Sequence, residues 1–158
     1  MKENNGEHPL GDAGQILLGL VFMALWSVDS FVLKLSIFLS GSVPVYIRII
    51  IALILAMTAI VLFLKGHIVV RDKVRPVTVI STGIFKYVRH PLYLASLLFF
   101  LRLVAFSLSI LSLGLWIVIF LFYNYIAGYE EQVMADKFGA AYQDYKKRTG
   151  KWLPKLTS

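Results

Sequence analysis

The sequence predicts an all-α polytopic membrane protein with four transmembrane helices and a C-terminal amphipathic cytoplasmic helix. Three observations predict it. Hydrophobic residues fill 58% of the 158 positions and charged residues only 16%, with a mean hydropathy of +0.75, well above soluble composition. The apolar residues fall into four runs, and a membrane helix needs about 20 such residues. The basic residues behind the net charge of +7 gather between and after those runs, as suits contact with anionic head groups. A chain of this length reads as one domain, 1–158.

Backbone groups in lipid must be satisfied internally, so each run is expected to be a helix. Residues 1–12 form a polar N-terminal segment. Glu3, Glu7 and Asp12 stand where a cleaved signal would be basic, so none is expected. The first run covers roughly 13–40 and is interrupted by Asp29 and Lys34. These lie five apart rather than at the favoured i,i+4 spacing. Asp29 is expected to face the bundle interior with a structural partner, while Lys34 snorkels. Ser40-Gly41-Ser42-Val43-Pro44 is a short uncharged turn, and the second run goes from Val45 to Leu64 with Arg48 near its start. Helices one and two thus occupy 13–64.

The loop 65–90 carries Lys65, Arg71, Lys73, Arg75, Lys86 and Arg89 against one acid, Asp72. A helical hairpin is expected over 91–128. Its first helix begins after Pro91, a residue suited to a first helical turn, and carries Arg102. Its second runs from Leu108 to about Gly128. The tail, 129–158, carries Lys137, Lys146, Lys147, Arg148, Lys151 and Lys155. Met134, Phe138, Tyr142 and Tyr145 recur there at helical spacing, which predicts an amphipathic helix over about 130–148. Gly150 stops it, and the tail should fold back over the loop 65–90. With four spans, the two basic segments share one side, and the positive-inside rule places that side and both termini in the cytoplasm.

The chain has no cysteine, which excludes disulfides and thiolate chemistry. His8, His67 and His90 lack metal-ligand spacing, so no metal is expected. No basic stripe with interleaved aromatics stands apart from the apolar runs, so nucleic acid is not an expected partner.

Two places can carry chemistry. In Arg89-His90-Pro91-Leu92-Tyr93 the proline biases His90 away from helical geometry. This holds an imidazole at a helix mouth, where free N–H groups and a positive dipole end gather. The same residues also suit a plain interfacial anchor. Glu130-Glu131, at the exit of the last run, can pair with cations or accept from hydroxyl and amino donors. It also suits a solvated acidic start to the tail.

Taken in order, Arg-His-Pro-x-Tyr, the hairpin, Glu130-Glu131, Phe138-Gly139-x-x-Tyr142-x-x-Tyr145 and Trp152-Leu153-Pro154 resemble the isoprenylcysteine carboxyl methyltransferase family and the wider group of integral-membrane, phospholipid-type methyltransferases. The resemblance covers about 70–158, with helices one and two matching as generic spans. It implies S-adenosylmethionine as cofactor, bound on the cytoplasmic side between the last two spans and the tail. The residues it assigns to the cofactor are Val77, Thr78, Val79 and Ile80, the turn aromatic Phe85, then His90, Pro91, Leu92 and Tyr93, and finally Glu130. Phe85 stands where a tyrosine is common. Tyr87 is expected to help shape the pocket. The family's substrate-binding arginine corresponds to Ile126, which cannot pair with a carboxylate. No catalytic base is assigned.

The expected acceptor is a lipophilic small molecule or lipidated substrate that enters from the bilayer, with membrane lipids as further partners. Two other readings stand beside this one. They are an NADPH-dependent membrane reductase of steroid-reductase type and a non-catalytic lipid- or cofactor-binding membrane protein. A small helical bundle can also pair in the membrane, so an oligomer is compatible with the sequence.

Overall fold

The structure, a computed structural model, describes residues 11–71 and 78–155. Among them every named element is helical, and the one β-type contact is an isolated bridge between Val88 and Gly150.

Helix α1 spans Gly11–Ser27 and continues through wider π-helical turns over Val28–Leu33, giving one apolar helix of 23 residues. It ends earlier than residue 40 because Asp29 pulls the following chain back. The Asp29 carboxylate accepts from the backbone N–H groups of Leu35 and Ser36, both at 3.1 Å, and Lys34 takes the left-handed conformation that closes the helix. A short 3-10 turn, Phe38–Gly41, leads on.

Helix α2 spans Val45–Arg71, seven residues past the expected end at Leu64. Its side chains largely face outward: Leu53 is 59% and Ile54 60% exposed, which suits a lipid-facing helix. Helix α3 spans Pro91–Ser107 and α4 spans Ile110–Phe138. Leu108, in the left-handed conformation, and Ser109, which caps α4 by accepting from Ser112 N–H, make the tight turn that the sequence implies.

The tail differs from expectation. Instead of one helix over 130–148, α4 runs uninterrupted through Glu130-Glu131 to Phe138, and a separate α5 spans Ala140–Arg148. Gly139 makes the break with φ +53° and ψ −127°, a conformation that L-residues rarely adopt. The expected aromatic face survives in α5, where Tyr142 and Tyr145 are buried.

Helices Gly11–Leu33, Val45–Val70 and Ile110–Phe138 are long and apolar enough to cross a membrane; α3, at 17 residues, is shorter. The core is Phe22 and Trp26 of α1, Leu97, Leu103 and Val104 of α3, and Ile119 and Tyr123 of α4. Trp26 Nε1 donates to the Leu103 carbonyl and to Ser107 Oγ, both at 3.2 Å, and Trp116 Nε1 donates to the Leu97 carbonyl at 2.9 Å. The most extensive helix pairing is between α2 and α3.

The bundle has two distinct ends. At one, Asp29 accepts from the hydroxyls of Ser36 and Ser109, which ties the α1–α2 link to the α3–α4 turn. Its partners are thus hydroxyls and backbone amides rather than Lys34. Arg48 Nη1 donates to the Phe106 carbonyl at the same end, 2.9 Å away. At the other end stand the start of α3, the middle of α4, α5 and the tail.

Candidate functional site

The backbone at His90, with φ −121° and ψ 62°, is non-helical, in keeping with the bias of a following proline against helix, and Pro91 then opens α3. This aims the imidazole across the start of α3 toward α4. Glu130 and Glu131 are adjacent on α4, about 100° apart around its axis. Both reach the imidazole. His90 Nε2 lies 3.2 Å from Glu131 Oε1, and Nδ1 lies 3.7 Å from Glu130 Oε2. The Tyr93 hydroxyl donates to Glu130 Oε1. The Tyr93 ring stacks on His90 at 5.7 Å between centroids and meets Tyr123 edge-on at 5.1 Å. The two places singled out in the sequence therefore form one cluster.

Glu131, read from the sequence as one of an acidic pair able to bind cations, is the hub of the cluster. Its side chain is 7% exposed and accepts from Arg89 Nε at 2.8 Å and Lys146 Nζ at 3.1 Å, besides facing His90. Arg89 is equally buried and also donates to the carbonyls of Lys146 and Thr149. Its backbone N–H donates to the Gly150 carbonyl at 2.9 Å, and Gly150 N–H donates to the Tyr87 carbonyl at 3.3 Å. Tyr145 adds a bond from its hydroxyl to the Phe85 carbonyl at 2.8 Å. The tail thus closes over the described part of the loop. Beyond it, Lys151 Nζ and Trp152 Nε1 both donate to Asn124 Oδ1, and the Trp152 ring lies 6.0 Å from His90.

Burial governs the ionisation here. It lowers the His90 pKa below its ordinary value, and the favourable field and hydrogen bond of Glu131 only partly offset it. The Tyr145 hydroxyl is pushed up to about 12, chiefly by burial, and that of Tyr142 is pushed up too. Burial likewise lowers Lys151. A neutral His90 that donates from Nε2 to Glu131 leaves Nδ1 as an acceptor facing the second acceptor, Glu130 Oε2. A ligand that presents hydroxyl or amino donors fits that pair.

The other residues assigned from the sequence are placed as follows. Pro91 and Leu92 sit against Gly66 of α2, where an added Cβ would lie 3.0 Å from Leu92 Cδ2 and 3.6 Å from Pro91 Cγ. Their side chains so far serve α2–α3 packing. Val77 lies outside the described residues. Thr78 is exposed, while Val79 and Ile80 are half-buried on the approach to the 3-10 turn Gly83–Lys86, which contains Phe85. Tyr87 is exposed, with Lys86 Nζ 5.9 Å from its ring centroid. Ile126 is fully buried, a core residue of α4.

A cavity of about 440 Å³ lies lower in the bundle, between α2 and α3 with Tyr123 of α4 in its wall. It is lined by neither His90 nor Glu130, but Tyr123 joins it to the cluster through its contact with Tyr93.

The sequence profile of the phospholipid methyltransferase family matches residues 46–141. That stretch takes in α2, the loop, α3, α4 and the start of α5. The chain belongs to the phospholipid methyltransferase family. The match makes α2 part of the family unit, where the motifs alone reached back only to about residue 70. As a family member with several long apolar helices, it is a multi-pass membrane protein of methyltransferase type. No curated protein matches the chain.

Proposed function

We propose that this protein is an S-adenosylmethionine-dependent methyltransferase that acts on a lipophilic acceptor at the cytoplasmic face of a membrane. Four spans put both termini on that side. The observation that carries the reading is the convergence of His90, Tyr93 and Glu130 under a closed tail, in a chain of the phospholipid methyltransferase family. Glu130 Oε2 and His90 Nδ1 would receive the hydroxyl or amino groups of the cofactor, with Thr78–Ile80 and Phe85 lining its approach. Bound there, S-adenosylmethionine supplies a methyl group on a sulfonium, open to in-line displacement by a nucleophile.

Such a displacement asks mainly for positioning and exclusion of water. The chain is built for both. Glu131 holds the direction of the His90 ring, and Tyr93 holds Glu130 by its hydroxyl. Trp152 and α5 close the side toward water. Ile126 supplies no charge for a carboxylate, so acceptors without an obligatory carboxylate at that point, such as lipid amines, fit this reading best.

Calorimetric titration of the purified protein with S-adenosylhomocysteine tests the proposal. Binding is expected, weakened by about tenfold or more in Glu130→Ala and His90→Ala, as for loss of charge-assisted hydrogen bonds. No binding, unchanged binding in both variants, or tighter binding of NADPH would overturn it.

A further inference from the structure

The cavity between α2 and α3 has a polarity that the methyltransferase reading does not use. Its walls include Ala59 and Ile60 of α2, Ala95, Phe99 and Arg102 of α3, and Tyr123 of α4. The one charged group among them is Arg102. Its guanidinium rests on the Phe99 ring, 4.3 Å from the centroid, and its Nε is buried with no hydrogen-bond acceptor among the described residues. None of the described ion pairs involves it.

Arginine inside an apolar bundle is costly, and such residues normally pair with something. Buried Asp29 is already engaged by Ser36, Ser109 and backbone amides. The cavity is also graded along its length. Arg102 is five residues from the Ser107 end of α3, and Ala95 is seven residues further toward the Tyr93 end, a rise of about 10 Å. The cation therefore sits at one end of a slot whose remainder is apolar apart from the hydroxyls of Ser96 and Tyr123. On its outer rim Ile60, Phe63 and Leu64 are each more than half exposed, on the lipid-facing helix.

We propose that this cavity is a binding site for a single-chain amphiphile with an anionic terminus. The oxyanion lies against Arg102, whose planar fork suits a carboxylate or a phosphate. The chain runs along α3 toward Tyr123, and the slot is filled from the bilayer between α2 and α3. The volume is within the usual range for a small-ligand pocket, about 300–1,000 Å³, and suits one chain. The site needs neither cofactor nor turnover, so its test is independent of the methyltransferase proposal.

The experiment is equilibrium binding of radiolabelled oleate and of oleyl alcohol to the full chain in phosphatidylcholine nanodiscs, with oleoyl lysophosphatidate as a second anionic probe. Oleate or lysophosphatidate is expected to bind about tenfold or more tighter than the alcohol, the scale of a charged hydrogen bond. Whichever of the two is tighter names the head group. Arg102→Gln should abolish the preference and Arg102→Lys should keep part of it. Ala59→Trp, which fills the slot without touching the charge, should remove binding of all three. Binding of both oleate and lysophosphatidate no tighter than that of oleyl alcohol in the parent protein, or a preference unchanged in Arg102→Gln, overturns the proposal. If Arg102→Gln does not fold, the comparison of probes on the parent protein and Ala59→Trp still decides it.

Discussion

Of the two adjacent acids, Glu130 and Glu131, one faces a candidate ligand site and the other holds the walls together. Glu131 is surrounded by Arg89, His90 and Lys146. Removing one partner of a buried ion pair leaves the other charge uncompensated, at a cost of roughly 3 kcal/mol or more. Glu131→Gln is therefore expected to lower the thermal unfolding midpoint, and a cycle with Arg89→Gln should show strong coupling. A Glu131→Gln midpoint equal to that of the parent protein would contradict the hub role.

His90 carries a pH signature. Burial lowers its folded pKa, so below the ordinary value of about 6.5 the unfolded chain takes up the proton more readily. The stability contributed by neutral His90 is complete above that pH and is lost as pH falls through the folded value. The unfolding midpoint of the parent protein should fall more steeply with acid than that of His90→Gln, followed from pH 7.5 to 5. His90 was readable from the sequence because a proline and a helix mouth restrict where it can point, and Glu130 because the resemblance assigned it. The cations that Glu131 meets, and the roles of Lys146 and Thr149, were not, because they exist only after a tail some sixty residues from Arg89 has docked.

Among the elements, the apolar runs and the short α3–α4 turn follow from composition and chain length alone. Their ends do not. The first helix stops where Asp29 captures the amides of Leu35 and Ser36, a tertiary and local event that hydropathy does not register. The tail splits at Gly139 because the chain needs a positive φ there to redirect α5 over the loop. The second tight spot is Gly150, where an added Cβ would lie 1.6 Å from the Leu153 carbonyl oxygen. Gly150→Ala must therefore shift the 150–153 turn, with loss of the Arg89–Gly150 and Trp152–Asn124 bonds. Faster amide exchange over α5 and residues 85–90 is expected, with exchange in the middle of α3 unchanged. If α5 kept its protection, the tail would have to be held by contacts other than these.

For the whole molecule, the spatial separation of the two ends gives a test of topology. The α1–α2 link and the α3–α4 turn meet through Ser36 and Ser109, and the α2–α3 loop meets the tail through Arg89 and Gly150. The chain contains no cysteine, so single introduced thiols report without background. Lys86→Cys and Lys147→Cys should be labelled by an impermeant maleimide only after the cytoplasmic face is opened, and Ser42→Cys only from the opposite side. Labelling of Lys86→Cys and Lys147→Cys from different sides would exclude four spans. The overall architecture was legible because lipid leaves a chain few ways to satisfy its backbone. The α2–α3 cavity was not, because a slot between helices depends on which small residues, here Ala56, Ala59 and Ala95, happen to face each other.

The bond between the Arg89 guanidinium and the Thr149 carbonyl has a consequence for biosynthesis. Every apolar helix emerges from the ribosome before Thr149 does, so the bundle can enter the bilayer while the latch has yet to be translated. A transcript that ends shortly after Phe138 would yield a fully inserted chain whose Arg89 and Glu131 lack their covering strap. Membrane insertion and a finished site are thus separate milestones, and only the second certifies that translation reached the tail.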